Sequence, residues 1–598
     1  MPTASSVRRL AQLLRPERGR YAFGLLSLLV VNLTDVLAPL FLAVAIDRVA
    51  AAATGQPAAV PRLLAWLGLE GATGSVGAAV AAYVAISLVS NLFRFPMLMS
   101  VSVPSHRVVQ GVRRALVDHL LRLARPFFDR ARSGDLMSLA SSDTQALRMA
   151  LGPGVLLLVD TALLVVFVLG TMATLSVPLT LAALVPLPAI ALFTHRVSHA
   201  EFARFGAVQE DLAKLTERAR ETYAGIRVLQ GYAREEFERA RFAADSRRHF
   251  ALNLRLARVR SLFDPSLEFF LGLSTLFVLV AGGVQLAQGT LSIGSFTAFL
   301  YLVGQLSGPM IGFGWAVSLM QRGRKSMERI DALLAEPVEI ESARDAVEAT
   351  GPGRIEVRDL TFRYAGAEAP ALSGVSFTLP AGGTLGVIGP VGGGKSTLAA
   401  LLVRLYEPPP GTILLDGVDV RRLTLSSLRG AIAVAPQDTF LFGDTVLRNI
   451  ALAASPDGLD ARRLARLAAI DDEIEALPEG YGTLLGERGV NLSGGQRQRL
   501  AIARAVGAAP RVLVLDDCLA AVDAATEGEI LANLDEALAG RSGIVISQRV
   551  RAVRRCDEIL VLDGGRVVER GSHAELVARG GWYATIARAQ TRIEEEAP

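Results

Sequence analysis

Leu385-Gly386-Val387-Ile388-Gly389-Pro390-Val391-Gly392-Gly393-Gly394-Lys395-Ser396-Thr397 decides the second half of this chain. Leu385 to Ile388 reads as a buried strand, Gly389 to Ser396 matches G-x-x-x-x-G-K-S, and a helix is expected from Thr397. The residue types follow from the chemistry of phosphate. Glycines let backbone N–H groups wrap around phosphate oxygens, and the helix N-terminus adds positive potential. Lys395 is placed to reach the terminal phosphates and Ser396 to ligate Mg²⁺, so the segment is expected to bind a nucleoside triphosphate. The lysine stands out because the chain holds only three, Lys214, Lys325 and Lys395.

Two more stretches extend the pattern. Val512-Leu513-Val514-Leu515-Asp516-Asp517 runs four apolar residues into two carboxylates, as a buried parallel strand ending at a phosphate site would. Asp516 is then the candidate for the Mg²⁺ shell. Between the two lies Asn491-Leu492-Ser493-Gly494-Gly495-Gln496-Arg497-Gln498. Ser493 and its glycines are expected to open a helix through Leu500 and Ala503, a second helix start suited to an anion.

The first half has a different composition. Across 598 residues, 51% are hydrophobic, and the excess lies before residue 320. Six stretches there are long enough to span a bilayer: 20–46, 76–103, 152–175, 177–195, 262–286 and 293–318. Arg8, Arg9, Arg15, Arg18 and Arg20 precede the first, whereas only Arg48 and Arg62 lie between the first and second. That asymmetry places the N-terminus inside. The long charged loops after spans two and four are therefore cytoplasmic, as is everything after span six. Each loop is interrupted near its middle by an apolar turn, at Pro126-Phe127-Phe128 and at Ala224-Gly225-Ile226-Arg227-Val228-Leu229, a natural contact for another domain. Asp35, Arg94, Asp160, Asp264 and Glu268 fall inside spans, where a charge points to function or to a partner on a neighbouring helix. Cys518 and Cys556 are too few and too far apart for a metal site or a disulfide framework. The resulting division is an all-α membrane domain over 1–325, a polar linker over 326–353 and an α/β P-loop NTPase domain over 354–590.

Taken together, these motifs resemble the ABC transporter family, in particular exporter-fold half-transporters that carry six membrane helices followed by one nucleotide-binding domain. The resemblance runs over essentially the full length. It implies ATP and Mg²⁺ as ligands, with Gly389, Gly392, Gly393, Gly394, Lys395, Ser396 and Thr397 around the phosphates. It further implies that Tyr364 stacks on adenine, that Gln437 touches Mg²⁺, that Asp523 belongs to the D-loop, and that the turns at Phe128 and Ile226 are coupling helices. Soluble ABC ATPases that act on nucleic acid share the nucleotide motifs but lack the spans.

This chain departs from the family at two positions. Efficient members place a glutamate after the acidic-strand aspartate and a histidine later in the chain; here those positions are Asp517 and Gln548. Aspartate is shorter by one C–C bond, about 1.5 Å, and displacements of about 1 Å cost on the order of 10² in rate. Ser493, Gly494, Gly495 and Gln496 are intact. In the family each ATP lies between the P-loop of one chain and the LSGGQ of the other. The expected assembly is therefore a heterodimer with a second half-transporter that supplies the missing glutamate and histidine. Transport of a drug, lipid or peptide follows as the expected function; a nucleotide-gated channel or regulator, or an importer, are the alternatives.

Overall fold

The computed structural model describes residues 12, 14–54, 59–453, 459–486 and 489–596. These form two compact units. Residues up to His119 and Ser133–Ala335 make the first, and Leu120–Arg132 with Glu336 onward make the second. Arg8 and Arg9 lie outside the described residues, as does the side chain of Asp264.

The first unit is built of helices. Among the described residues, four are long and apolar enough to cross a membrane, within Arg15–Ala53, Val76–Leu120, Ser133–Leu175 and Glu268–Ala287. Two shorter apolar helices, Val177–Ile190 and Ile293–Gln305, accompany them. The expected fourth and sixth spans are thus each divided. The fourth breaks between helices Val177–Leu184 and Leu187–Ala224, beside Pro186, whose ring and missing N–H interrupt the helical bond pattern. The sixth breaks at Leu306, where Ser307–Leu334 begins anew with Pro309 in its first turn.

Packing in this unit relies on close backbone approach. A Cβ on Gly294 would overlap the Ala43 carbonyl, so helices Arg18–Thr54 and Ile293–Gln305 can meet only because that side chain is missing. Asp47 then accepts from Ser292 Oγ at 2.6 Å and Gly294 N at 2.7 Å. Three of the charges expected inside the spans, Asp35, Arg94 and Asp160, have partners as well. Asp35 accepts from Ser90 Oγ at 2.6 Å and pairs with Arg94 at 2.7 Å, and Asp160 accepts from Asn32 Nδ2 at 2.8 Å.

The second unit carries two sheets. Strands β1 (Ile355–Phe362), β2 (Leu372–Leu379), β4 (Ile413–Leu415) and β5 (Val418–Asp419) make an antiparallel sheet in the order β2-β1-β4-β5. Ile355, Val357 and Leu360 face its core, each at most 2% exposed, while the intervening charges face outward. The second sheet has the order β10-β9-β3-β8-β7-β6, with β3 (Thr384–Ile388), β6 (Ile432–Ala435), β7 (Val512–Asp516), β8 (Ser542–Ser547), β9 (Glu558–Asp563) and β10 (Arg566–Gly571). Strands β9, β3, β8, β7 and β6 run parallel, and β10 pairs antiparallel on the edge. The central strands β3, β7 and β8 are buried almost throughout, which is why they read as unbroken apolar runs. The fold class is a helical membrane domain followed by an α/β nucleotide-binding domain, as expected.

Candidate functional site

Register places the site. Ile388 at the end of β3 pairs with Ser547 of β8, and Asp516 at the end of β7 pairs with Ile546. The loops leaving β3, β8 and β7 therefore emerge side by side, carrying Gly389–Gly394, Gln548 and Asp517 to one end of a parallel sheet, where such folds bind ligands.

The loop after β3 is constrained by its surroundings. A Cβ on Gly389 would overlap the Leu562 carbonyl oxygen, and one on Gly393 would stand 2.7 Å from it. Gly394 has φ +95° and caps the following helix, which spans Lys395–Leu402 and so begins two residues earlier than expected. The first-turn N–H groups of that helix have no intrahelical acceptor, which leaves them free for an anion. Lys395, 7% exposed, curls back to donate to Gly389 O and Pro390 O, both at 2.8 Å. An ammonium has three N–H bonds, so one is left for a further acceptor. Burial pulls Lys395 below its ordinary lysine value, and the charges of Asp517 and Asp516 partly restore it.

Ser396 Oγ donates to Asp516 Oδ1 at 3.1 Å, linking residues 120 positions apart. Asp516 is 6% exposed; burial pushes its pKa up, opposed by the Ser396 bond, with the charge of Asp517 adding to the rise. A hydroxyl and a buried carboxylate in contact, with a second carboxylate beside them, form an oxygen donor set that suits a hard divalent cation. The glycine cradle and Lys395 fit a polyphosphate in the same way. When bound, Mg²⁺ would neutralise charge on the phosphate oxygens; Ser396 and Asp516 would hold it.

Asp517 follows in the left-handed region at φ +46°, a conformation that aspartate visits more readily than most residues. Its N–H bonds Ile546 O at 2.8 Å, and its Oδ2 lies 3.4 Å from Gln548 Nε2, so the two departing residues meet each other. Tyr364 is half-buried, and its hydroxyl donates to Thr397 Oγ1 at 3.0 Å. Gln437 is exposed on the loop after β6, next to Asp438, whose charge reaches Asp516.

The second helix start is held differently. Ser493 caps helix Gly494–Gly507 through a capping box: Gln496 N donates to Ser493 Oγ at 3.2 Å, and Ser493 N donates to Gln496 Oε1 at 2.8 Å. Gln496 Nε2 donates to Glu473 at 2.7 Å, so this side chain serves the helix start itself. A Cβ on Gly495 would stand a tight 3.0 Å from Ala521 O, and Ala521 N donates to Gln498 Oε1 at 3.0 Å. The motif is thereby fastened to the segment before Asp523, whose carboxylate caps helix Ala524–Ala537 through Ala525 N and Thr526 N. Those bonds to backbone N–H hold the Asp523 carboxyl below its ordinary value. Among the described residues, no hydrogen bond or ion pair joins Gly389–Thr397 to Asn491–Gln498.

Two supports escaped sequence reading. Gln590, from the last helix, donates to Gln548 O at 3.0 Å and accepts from Val550 N at 2.8 Å, gripping the backbone on both sides of Arg549. Arg549 bonds the buried Glu527 and donates to Ala520 O at 3.1 Å. Neither position belongs to a local pattern; only a search for polar residues on apolar helices would have marked Glu527. Cys518 is buried and Cys556 half-buried, and burial pushes each thiol up to about 12.

Comparison with known proteins agrees with this geometry. Residues 21–310 match the family model described as the ABC transporter transmembrane region, and residues 372–520 match that described as ABC transporter. The chain is 34% identical to the multidrug resistance-like ATP-binding protein MdlA of Escherichia coli (strain K12), over 96% of this chain and 95% of that one. It is 37% identical, over 81% of each chain, to an ATP-dependent lipid A-core flippase of Aromatoleum aromaticum. A solved structure of a bacterial Atm1-family ABC exporter with ATP bound superposes with a TM-score of 0.74 at 27% identity, covering 96% of this chain and 98% of that one. With helices and nucleotide-binding fold joined in one polypeptide, this chain belongs to the ABC transporter family as a fused chain of the exporter kind.

Proposed function

We propose that this chain is one half of an ATP-driven exporter of hydrophobic or amphipathic cargo, and that its own ATP pocket holds nucleotide far longer than it takes to hydrolyse it. The observation that carries the second clause is the meeting of Asp517 and Gln548 at 3.4 Å beside Ser396 and Asp516. A base must stand within hydrogen-bond reach of its water, and Asp517 is both short and turned toward Gln548. Gln548 can donate to a phosphate oxygen but cannot supply histidine's charge.

On this reading Ser493, Gly494 and Gly495 complete a competent site on a different half-transporter, whose P-loop pocket carries the glutamate and histidine. Gly389 to Thr397, Tyr364, Gln437 and Asp516 hold Mg-ATP on this chain. The membrane domain occupies 1–325, the linker 326–353 and the nucleotide-binding domain 354–590. The chain is multi-pass in the cell's inner membrane, with its N-terminus and nucleotide-binding domain cytoplasmic. Names of relatives that include multidrug resistance and a lipid A-core flippase support a lipid-like or drug-like cargo. Two bound ATP molecules would close the paired nucleotide domains, and hydrolysis at the partner's site would reopen them.

The test is to purify the chain alone and with its partner and to measure phosphate release at saturating Mg-ATP. Slow turnover alone and fast turnover by the pair are expected. Strong hydrolysis by the lone chain, or collapse of the pair's turnover on Asp517→Ala, would overturn the reading.

A further inference from the structure

Polar groups from four apolar helices converge on one stretch of helix Arg18–Thr54. Its Asp35 pairs with Arg94 of helix Val76–Leu120 at 2.7 Å and accepts from Ser90 Oγ, one turn before Arg94, at 2.6 Å. Gln305, at the end of helix Ile293–Gln305, donates to the Asp35 carbonyl at 3.3 Å. One turn before Asp35, Asn32 donates to Asp160 of helix Val155–Leu175 at 2.8 Å. Asn32 and Ser90 are buried, 2% and 3% exposed, so the groups that hold the two carboxylates are themselves fixed by packing.

The charges in this belt are not matched one to one. Asp35 has the Arg94 guanidinium, whereas Asp160, among the described residues, meets only the neutral amide of Asn32. An ionised carboxylate inside a span is costly unless a cation answers it. Arg94 is incomplete in the opposite sense. A guanidinium carries five N–H bonds, and among the described residues only the one to Asp35 is engaged. Its side chain is half-exposed, and a charge within a span faces water or the bundle interior, not lipid. Residues three apart are neighbours on a helix face. The free donors of Arg94, anchored through Asp35, and the unanswered charge of Asp160, anchored through Asn32, are therefore tied to points about 4.5 Å apart along the first helix, the rise over three residues.

We propose that Arg94 and Asp160 receive the two poles of a zwitterionic amphiphile, a phosphate on the free N–H donors of Arg94 and an ammonium on Asp160. The proposal rests on the exporter reading and names its class of cargo: a tailed molecule whose anion and ammonium are a few bonds apart, as in a phosphoethanolamine headgroup. A cargo with only a cation answers Asp160 and leaves the donors of Arg94 unused. One with only an anion meets Arg94 but adds a negative charge beside Asp35 and Asp160, which repel it. A zwitterion completes both groups and leaves the net charge of the belt unchanged. The apolar spans around these groups suit its tail.

The experiment uses the full chain in a neutral maltoside detergent without nucleotide. Affinity is measured for three fluorescent probes with the same short tails: a phosphatidylethanolamine with both charges, a phosphatidic acid with the anion alone and an alkylammonium with the cation alone. The wild-type chain is expected to bind the zwitterion at least about tenfold tighter than either of the others, the scale of one hydrogen bond to a charged group. Asp160→Asn, which keeps an acceptor for Asn32, removes the preference over phosphatidic acid. Arg94→Gln made together with Asp35→Asn, so that no carboxylate is stranded, removes the preference over alkylammonium. A merely structural role would weaken all three probes alike. Equal binding of the three, tighter binding of the alkylammonium, or binding of none would overturn the proposal. Displacement of the probe by free phosphoethanolamine as readily as by the lipid would overturn the amphiphile and put a soluble zwitterion in its place. In vesicles containing the chain and its partner, ATP-driven movement of all three probes at one rate would overturn the proposal and leave the exporter reading. Charge-selective binding with no ATP-driven movement of any probe would overturn the exporter reading and leave the binding site.

Discussion

Gln548 Nε2 stands 3.4 Å from Asp517 Oδ2, at the ends of two neighbouring strands and next to the Ser396–Asp516 contact. Asp517 and Gln548 thus occupy one corner of the candidate site, and they contact each other. Restoring hydrolysis should require changing both.

Asp517→Glu together with Gln548→His is expected to raise phosphate release by the lone chain by about 10²-fold, the scale of a correction of about 1 Å. Either change alone should do much less. A glutamate at 517 must keep the left-handed backbone of φ +46°, and Gln548 cannot supply histidine's charge to a phosphate oxygen. A double variant that hydrolyses no faster than wild type would overturn the reading of Asp517 and Gln548 as the slow corner of the proposed site.

The pH dependence of the nucleotide-free protein follows from Asp516. Unfolded, this carboxyl titrates at its ordinary value of 3.8; in the fold, burial raises it. Its contribution to stability is therefore fully present below 3.8 and is lost as pH rises through the higher folded value. Asp516→Asn should accordingly melt at a higher temperature than wild type at pH 7.5 without nucleotide, with the difference closing toward pH 4. The same variant should lose the further rise in Tm expected from Mg-ATP, since the carboxylate proposed to hold the cation is gone. Thermal scans across pH, with and without Mg-ATP, check both halves.

Gly389→Ala tests the cradle without touching charge. Its Cβ would overlap the Leu562 carbonyl oxygen, which is backbone and cannot rotate away. The expected cost is about 2–4 kcal/mol, in the range of overpacking and backbone displacement, with loss of nucleotide binding at concentrations that saturate wild type. Equilibrium binding of a fluorescent ATP analogue gives the readout.

Arg549→Met removes the guanidinium that covers Glu527, a carboxylate 1% exposed. Leaving a buried charge unpaired should destabilise this unit by about 3–5 kcal/mol. Adding Glu527→Gln should recover most of that loss. Hydrogen exchange of the slowest amides of β8, which report the stability of the unit around them, is the appropriate measurement.

Much of the site was legible because its signals are local. The glycines, Lys395 and Ser396 lie within eight consecutive residues, the Ser493–Gln496 capping box spans four, and β7 declares itself by an apolar run ending in carboxylates. Turn chemistry, helix capping and strand burial act between near neighbours, so their residue types appear together along the chain. Span limits were less legible. Apolar composition continues across Val185–Pro186 and Leu306, and only the backbone path shows that helices stop and restart there.

What the tertiary structure alone decided joins residues with no sequence relation. Tyr406 meets Asp129 across 277 positions, Gln590 clamps Gln548 across 42, and Leu120–Arg132 groups with the second unit although it lies between two helices of the first. A polar side chain finds its partner by where packing delivers it, and packing depends on how whole elements fill space, which no short pattern of residues encodes. The amino-acid sequence determined which chemistry this chain carries; the fold decided which residues hold that chemistry in place.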